Sequence, residues 1–70
     1  MDTLTALEKE IVIMVAQGSK NREIAEKLCL AEQTVRNYLS NIYAKTDSKN
    51  RVELTMFAVR AEWINSTREK

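Results

Sequence analysis

Seventy residues with a net charge of +1 make one small domain, able to bury about 60% of its extended-chain surface and too small for a deep catalytic cleft. No proline, a single glycine and 44% hydrophobic residues point to an all-α fold, because almost nothing is present to punctuate strands. One cysteine, Cys29, and no histidine exclude an internal disulfide, His/Cys metal sites and imidazole acid–base chemistry, so no cofactor or metal is expected.

An enzyme is further disfavoured by the lack of a Gly-rich phosphate loop or of paired acids at a plausible cleft. No apolar run approaches the ~18 residues of a membrane span, and the first residues lack a basic segment followed by an apolar one. The chain therefore reads as a soluble protein of the reducing cytoplasm, without a membrane partner. Charge is unevenly spread: residues 1–10 carry −2 and residues 36–51 carry +3. Such asymmetry permits a nucleic-acid face without proving one.

Thr5-Ala-Leu-Glu8 is a capping-box pattern, with the Thr5 hydroxyl placed to accept from the Glu8 amide and the Glu8 carboxylate from the Thr5 amide. It predicts a first helix over about 6–17, with Leu7, Ile11, Met14 and Val15 on one stripe and Gly18 as a left-handed terminator. A second helix over about 21–28, with Ser19 or Asn21 as its N-cap, turns Ile24, Ala25 and Leu28 inward. It is too short to be stable alone and must be packed between neighbours. A break at Cys29-Leu30-Ala31 follows, where Cys29 is expected as a small buried filler.

The third helix is expected over about 32–45. At roughly 100° per residue, Val35, Tyr38, Leu39 and Ile42 fall on its inward arc. The outer arc carries Gln33, Arg36, Asn37, Ser40 and Ala44. These side chains suit base edges: Arg pairs bidentately with guanine, Asn and Gln with adenine, and Ser serves as donor or acceptor. The same face can also be no more than a solvated surface. A short helix, a three-residue turn and a helix with such a face is, however, the sequence form of a helix-turn-helix. Lys20, Asn21 and Arg22 at the start of helix two, with Thr34, Asn41 and Lys45 on helix three, would then lie near phosphates.

A second capping box, Asn50-Arg-Val-Glu53, opens a fourth helix over about 51–64, and Asn65 to Lys70 read as a polar, frayed tail. Arg51 suits an ion pair with Glu8 or Glu10. Helix four has two apolar stripes. Leu54, Phe57, Ala58, Ala61 and Ile64 suit a core, whereas Val52, Met56, Val59 and Trp63 lie nearly opposite at the spacing of a helix–helix seam. Either the second stripe joins two copies symmetrically, or Trp63 folds back over the domain's own edge and the rest are scattered exposed side chains.

Together these residues resemble the LuxR-type helix-turn-helix domain of NarL/FixJ response regulators, quorum-sensing regulators and GerE-type proteins. The matching positions are Leu4-Thr5 with Glu8 and Glu10, Val15-Ala16 before Gly18, and Asn21-Arg-Glu-Ile-Ala25 with Leu28. They continue through Thr34-Val-Arg36, Leu39, Asn41-Ile-Tyr43, Lys45 and Arg51. The resemblance implies one four-helix domain across residues 1–70, transcriptional regulation, and a third helix in the major groove with Arg36, Asn37 and Ser40 towards the bases. It implies double-stranded DNA as partner and homodimerisation through helix four, with RNA polymerase a further candidate partner.

The output domain of a two-component response regulator is the leading reading. A stand-alone GerE-like or quorum-sensing-type regulator, or a protein-interaction module using helix four, remain alternatives. The chain departs from the family pattern at Lys20 and Ala31, where helix caps are usual, and at Thr46-Asp47-Ser48, where Leu-Gly-Val is usual. Ser40 stands where the family often has a basic residue.

Overall fold

The computed structural model describes residues 4–64. The expected tail from Asn65 lies outside them. Four helices follow one another: α1 (Ala6–Ala16), α2 (Asn21–Leu28), α3 (Glu32–Thr46) and α4 (Arg51–Arg60). The all-α fold is as expected, and the first three helices fall within a residue or so of their predicted bounds. α1 packs chiefly on α4 and α2 chiefly on α3, with α3 reaching across to α1 and α4.

The capping box of α1 is present in full: the Glu8 amide donates to Thr5 Oγ1 at 3.1 Å and the Thr5 amide to Glu8 Oε1 at 2.9 Å. At α4 only half of the expected box forms. Asn50 Oδ1 accepts from the Glu53 amide at 2.9 Å, but Glu53 Oε1 accepts from the amide of Lys49 rather than of Asn50. α2 begins after Lys20, not Ser19 or Asn21; a lysine has no acceptor to offer, and Glu23 Oε1 takes the Lys20 amide at 2.8 Å. The N-cap of α3 is Ala31, which leaves the first amides of that helix without a side-chain partner.

The core is built from Ile11, Val12 and Val15 of α1, Ile24 and Ala25 of α2, Val35, Leu39 and Ile42 of α3, and Leu54 and Ala58 of α4. The inward arc predicted for α3 is thus the buried one, with Tyr38 half-buried beside it. Val12 lies outside the predicted α1 stripe yet is fully buried. α1 is covered on more than one side, so a single-stripe projection undercounts it.

α4 stops at Arg60, short of the expected Ile64. Glu62 is left-handed (φ 62°), and the amides of Glu62 and Trp63 donate to the carbonyls of Val59 and Ala58, both at 3.0 Å. That double bond pattern closes a helix and turns the chain. It carries Trp63 back against Phe57, ring centroids 5.4 Å apart and edge to face, with Lys9 Nζ 5.0 Å from the Trp63 ring. Trp63 is therefore packed on its own domain and not on the outer stripe of α4.

Candidate nucleic-acid interface

α2 and α3 are joined by Cys29, Leu30 and Ala31. The turn is made by Cys29, exposed and left-handed at φ 59°, with the Leu30 amide returning to the Ala25 carbonyl at 2.8 Å. The expectation of a buried Cys29 is corrected. The turn needs a residue with positive φ there, and its side chain points away from the core.

Burial of Val35, Leu39 and Ile42 fixes the rotation of α3 and leaves Gln33, Arg36, Asn37, Ser40, Asn41 and Ala44 exposed together. Two side-chain pairs run along this face. Arg36 Nη2 lies 3.5 Å from Glu32 Oε2, and Gln33 Nε2 donates to Asn37 Oδ1 at 3.2 Å. Sequence reasoning passed over Glu32, although its position four residues before Arg36 is the signal for such a pair.

The residues expected near phosphates separate into two groups. Lys20 and Arg22 are exposed at the start of α2, Arg22 in a loose 3.6 Å pair with Glu26, and Thr34 is half-buried in the first turn of α3. Asn21 and Lys45 instead hold the domain together. Arg51 Nη1 donates to Asn21 Oδ1 at 3.1 Å and Arg51 Nη2 to the Ser19 carbonyl at 2.7 Å, clamping the start of α4 to the start of α2. Lys45 Nζ donates to both oxygens of Glu8, at 2.8 and 3.0 Å.

The ion pair expected between Arg51 and Glu8 or Glu10 is therefore replaced by a different one. Lys45, projecting from the last turns of α3, reaches the buried Glu8 carboxylate, and Arg51 finds neutral acceptors near α2. With Lys45 first and the Thr5 amide second, these hydrogen bonds hold the Glu8 carboxyl below its ordinary pKa against the opposing effect of burial.

No described helix is long and apolar enough to cross a membrane. A helix-turn-helix whose second member is buried on one side and presents Arg and amide side chains on the other defines a class, the DNA-binding domains that read a groove with one helix. Residues 2–58 match the luxR family of bacterial regulatory proteins, and the chain belongs to that family as a DNA-binding domain of a transcriptional regulator.

Among its relatives, the chain is 42% identical over 61 residues to the transcriptional regulatory protein DesR of Bacillus subtilis, across 87% of this chain and 31% of DesR. It is 51% identical over 51 residues to the monoamine regulon transcriptional regulator of Klebsiella aerogenes, across 73% of the chain and 22% of that protein. With the transcriptional regulatory protein LiaR of Bacillus subtilis it shares 34% identity over 64 residues, across 91% of the chain and 30% of LiaR. The chain spans less than a third of the length of these relatives.

Proposed function

We propose that this domain binds promoter DNA in a sequence-specific manner, with α3 in the major groove, as the output domain of a cytoplasmic two-component response regulator. The observation that carries the reading is the face of α3: Arg36, Asn37 and Ser40, with Gln33 alongside, are exposed opposite a fully buried Val35/Ile42 stripe. Lys20, Arg22, Thr34 and Asn41 flank it and serve the phosphates, together with the uncapped amides at the start of α3. Asn21 and Lys45, expected among the phosphate contacts, are assigned a positioning role instead, since their polar atoms are already engaged within the domain.

Two copies bind paired half-sites about one helical turn (~10 bp) apart, joined through α4. Val52 and Met56, 72% and 47% exposed, support this, with half-buried Val59 continuing the row. Trp63 has no part in that contact, being committed to Phe57. Coverage of less than a third of each relative supports the reading as one module of a longer regulator, with RNA polymerase as a further partner.

The same exposed pair, Val52 and Met56, supports a second reading, a module that recruits a partner helix through α4 without DNA. Salt separates the two. DNA binding falls steeply with ionic strength, whereas an apolar helix seam does not.

The experiment is an electrophoretic mobility comparison on duplexes selected from a randomised pool. Arg36→Ala and Asn37→Ala should each weaken binding by about 1–3 kcal/mol and relax preference at one base pair. Unchanged affinity and preference in both variants would remove the role given to α3.

A further inference from the structure

The outer face of α3 carries two i,i+4 pairs side by side, Glu32 with Arg36 and Gln33 with Asn37. In each, the residue in the first turn engages the residue one turn on. We infer that Glu32 and Gln33 are positioning residues that aim Arg36 at a guanine and Asn37 at an adenine on adjacent base pairs. The inference rests on the reading of α3 as the helix that enters the groove.

The chemistry differs between the pairs. Gln33 Nε2 donates to Asn37 Oδ1 at 3.2 Å, which holds the Asn37 side chain along the face of α3. One lone pair on Oδ1 and both Nδ2 hydrogens stay available. An acceptor and a donor side by side match the N6 amino group and N7 of adenine in the major groove. A freely rotating Asn37 would sample several rotamers, and the contact with Gln33 narrows them to the one that lies along the outer face of α3.

At Arg36, one Nη2 hydrogen faces Glu32 Oε2 at 3.5 Å, leaving the other Nη2 hydrogen and an Nη1 hydrogen as the fork for O6 and N7 of guanine. The Glu32 carboxylate also sets a negative charge beside the guanidinium, which opposes its capture by a phosphate. Guanine then becomes the better acceptor within reach. Glu32 and Gln33 thereby act on which bases are read through Arg36 and Asn37, and Gln33, expected among the base contacts, takes a positioning role instead.

The test starts from a duplex selected with the wild-type protein and measures binding to it and to versions with single base-pair replacements. Gln33→Ala should lower discrimination at the adenine position by about threefold to tenfold, part of the full value of a bidentate contact. In an Asn37→Ala background the same substitution should change nothing, because its effect passes through Asn37. Gln33→Lys keeps a donor for Asn37 Oδ1 and should restore the preference. Glu32→Gln should tighten binding to unrelated DNA while lowering discrimination at the guanine.

All four side chains are exposed, so the variants should fold, with thermal melts as the check. Two outcomes overturn the positioning role alone. One is a wild-type preference in Gln33→Ala and Glu32→Gln while Arg36→Ala and Asn37→Ala lose theirs; the other is an undiminished Gln33→Ala loss in the Asn37→Ala background. If Arg36→Ala and Asn37→Ala also keep the wild-type preference, the recognition-helix reading itself is lost.

Discussion

Glu8 holds two partners at once, the Thr5 amide through Oε1 and the Lys45 ammonium through both oxygens, although the residue is only 5% exposed. Its folded pKa lies below the ordinary value of 4.5. The unfolded chain therefore takes up a proton first as pH falls. The stabilisation is fully present above the unfolded value and disappears as pH drops through the folded one. Glu8→Gln should lower stability at pH 7 by about 1–2 kcal/mol, and urea melts should show the gap to wild type closing below pH 4.5. The Thr5–Glu8 half of this site was legible in the sequence because it is local. Lys45 was not, since it lies 37 residues further on and only packing of α3 against α1 brings it there.

Arg51 raises the same issue at residue scale. Its sequence position suggested an acidic partner, yet its two nitrogens bridge a side-chain amide and a backbone carbonyl. That task needs two donors in a fixed fork, which lysine lacks. Arg51→Lys should therefore behave much like Arg51→Ala, each losing about 1–3 kcal/mol in chemical denaturation. A full rescue by lysine would show that charge alone matters there.

Among the elements, all four helices end by one device. A left-handed residue (Gly18, Cys29, Asp47 or Glu62) is followed by an amide that returns to the carbonyl five residues back. Only the first is glycine, the residue that takes positive φ without a steric penalty. Its signal was plain in the sequence; Asp47 carries a weaker one and Cys29 and Glu62 none, and α4 was consequently read too long. At the end of α3, polar chemistry replaces the family's usual glycine turn. Thr46 Oγ1 donates to the Ile42 carbonyl at 2.9 Å and accepts from Ser48 Oγ at 2.8 Å, so the buried Ser48 is satisfied. Cys29→Gly and Asp47→Gly should each raise stability by about 1 kcal/mol, whereas Gly18→Ala should lower it by a similar amount. No neighbour lies within 4 Å of the added methyl at Gly18, so thermal melts would report backbone conformation alone.

For the whole molecule, the outer row of α4 shrinks from the expected residues to Val52 and Met56, with Val59 half-covered. Periodicity placed Trp63 on that row because it assumes a continuing helix; the Glu62 turn breaks the assumption. Trp63→Asp would accordingly disturb the domain's own packing and is a poor probe of association. Val52 is 72% exposed, so Val52→Asp should leave the melting temperature within a few degrees while abolishing cooperative binding to paired half-sites in mobility shifts. Retained cooperativity in that variant would move the contact between copies away from α4.

The division of α3 into inner and outer faces was almost wholly legible, since helical period alone separated buried Val35, Leu39 and Ile42 from exposed Arg36, Asn37 and Ser40. Which flanking cations were free for phosphate was not, because that depends on tertiary partners such as Glu8. The most direct measurement is an NMR titration of the isotope-labelled domain with a selected duplex, following backbone amides and the side-chain amides of Gln33 and Asn37. Binding through α3 should concentrate the shifts at residues 31–41 and the start of α2, with the Asn37 side-chain amide among the largest. Shifts confined to α4, with the Asn37 amide unmoved, would contradict the assignment of α3 as the DNA-reading helix.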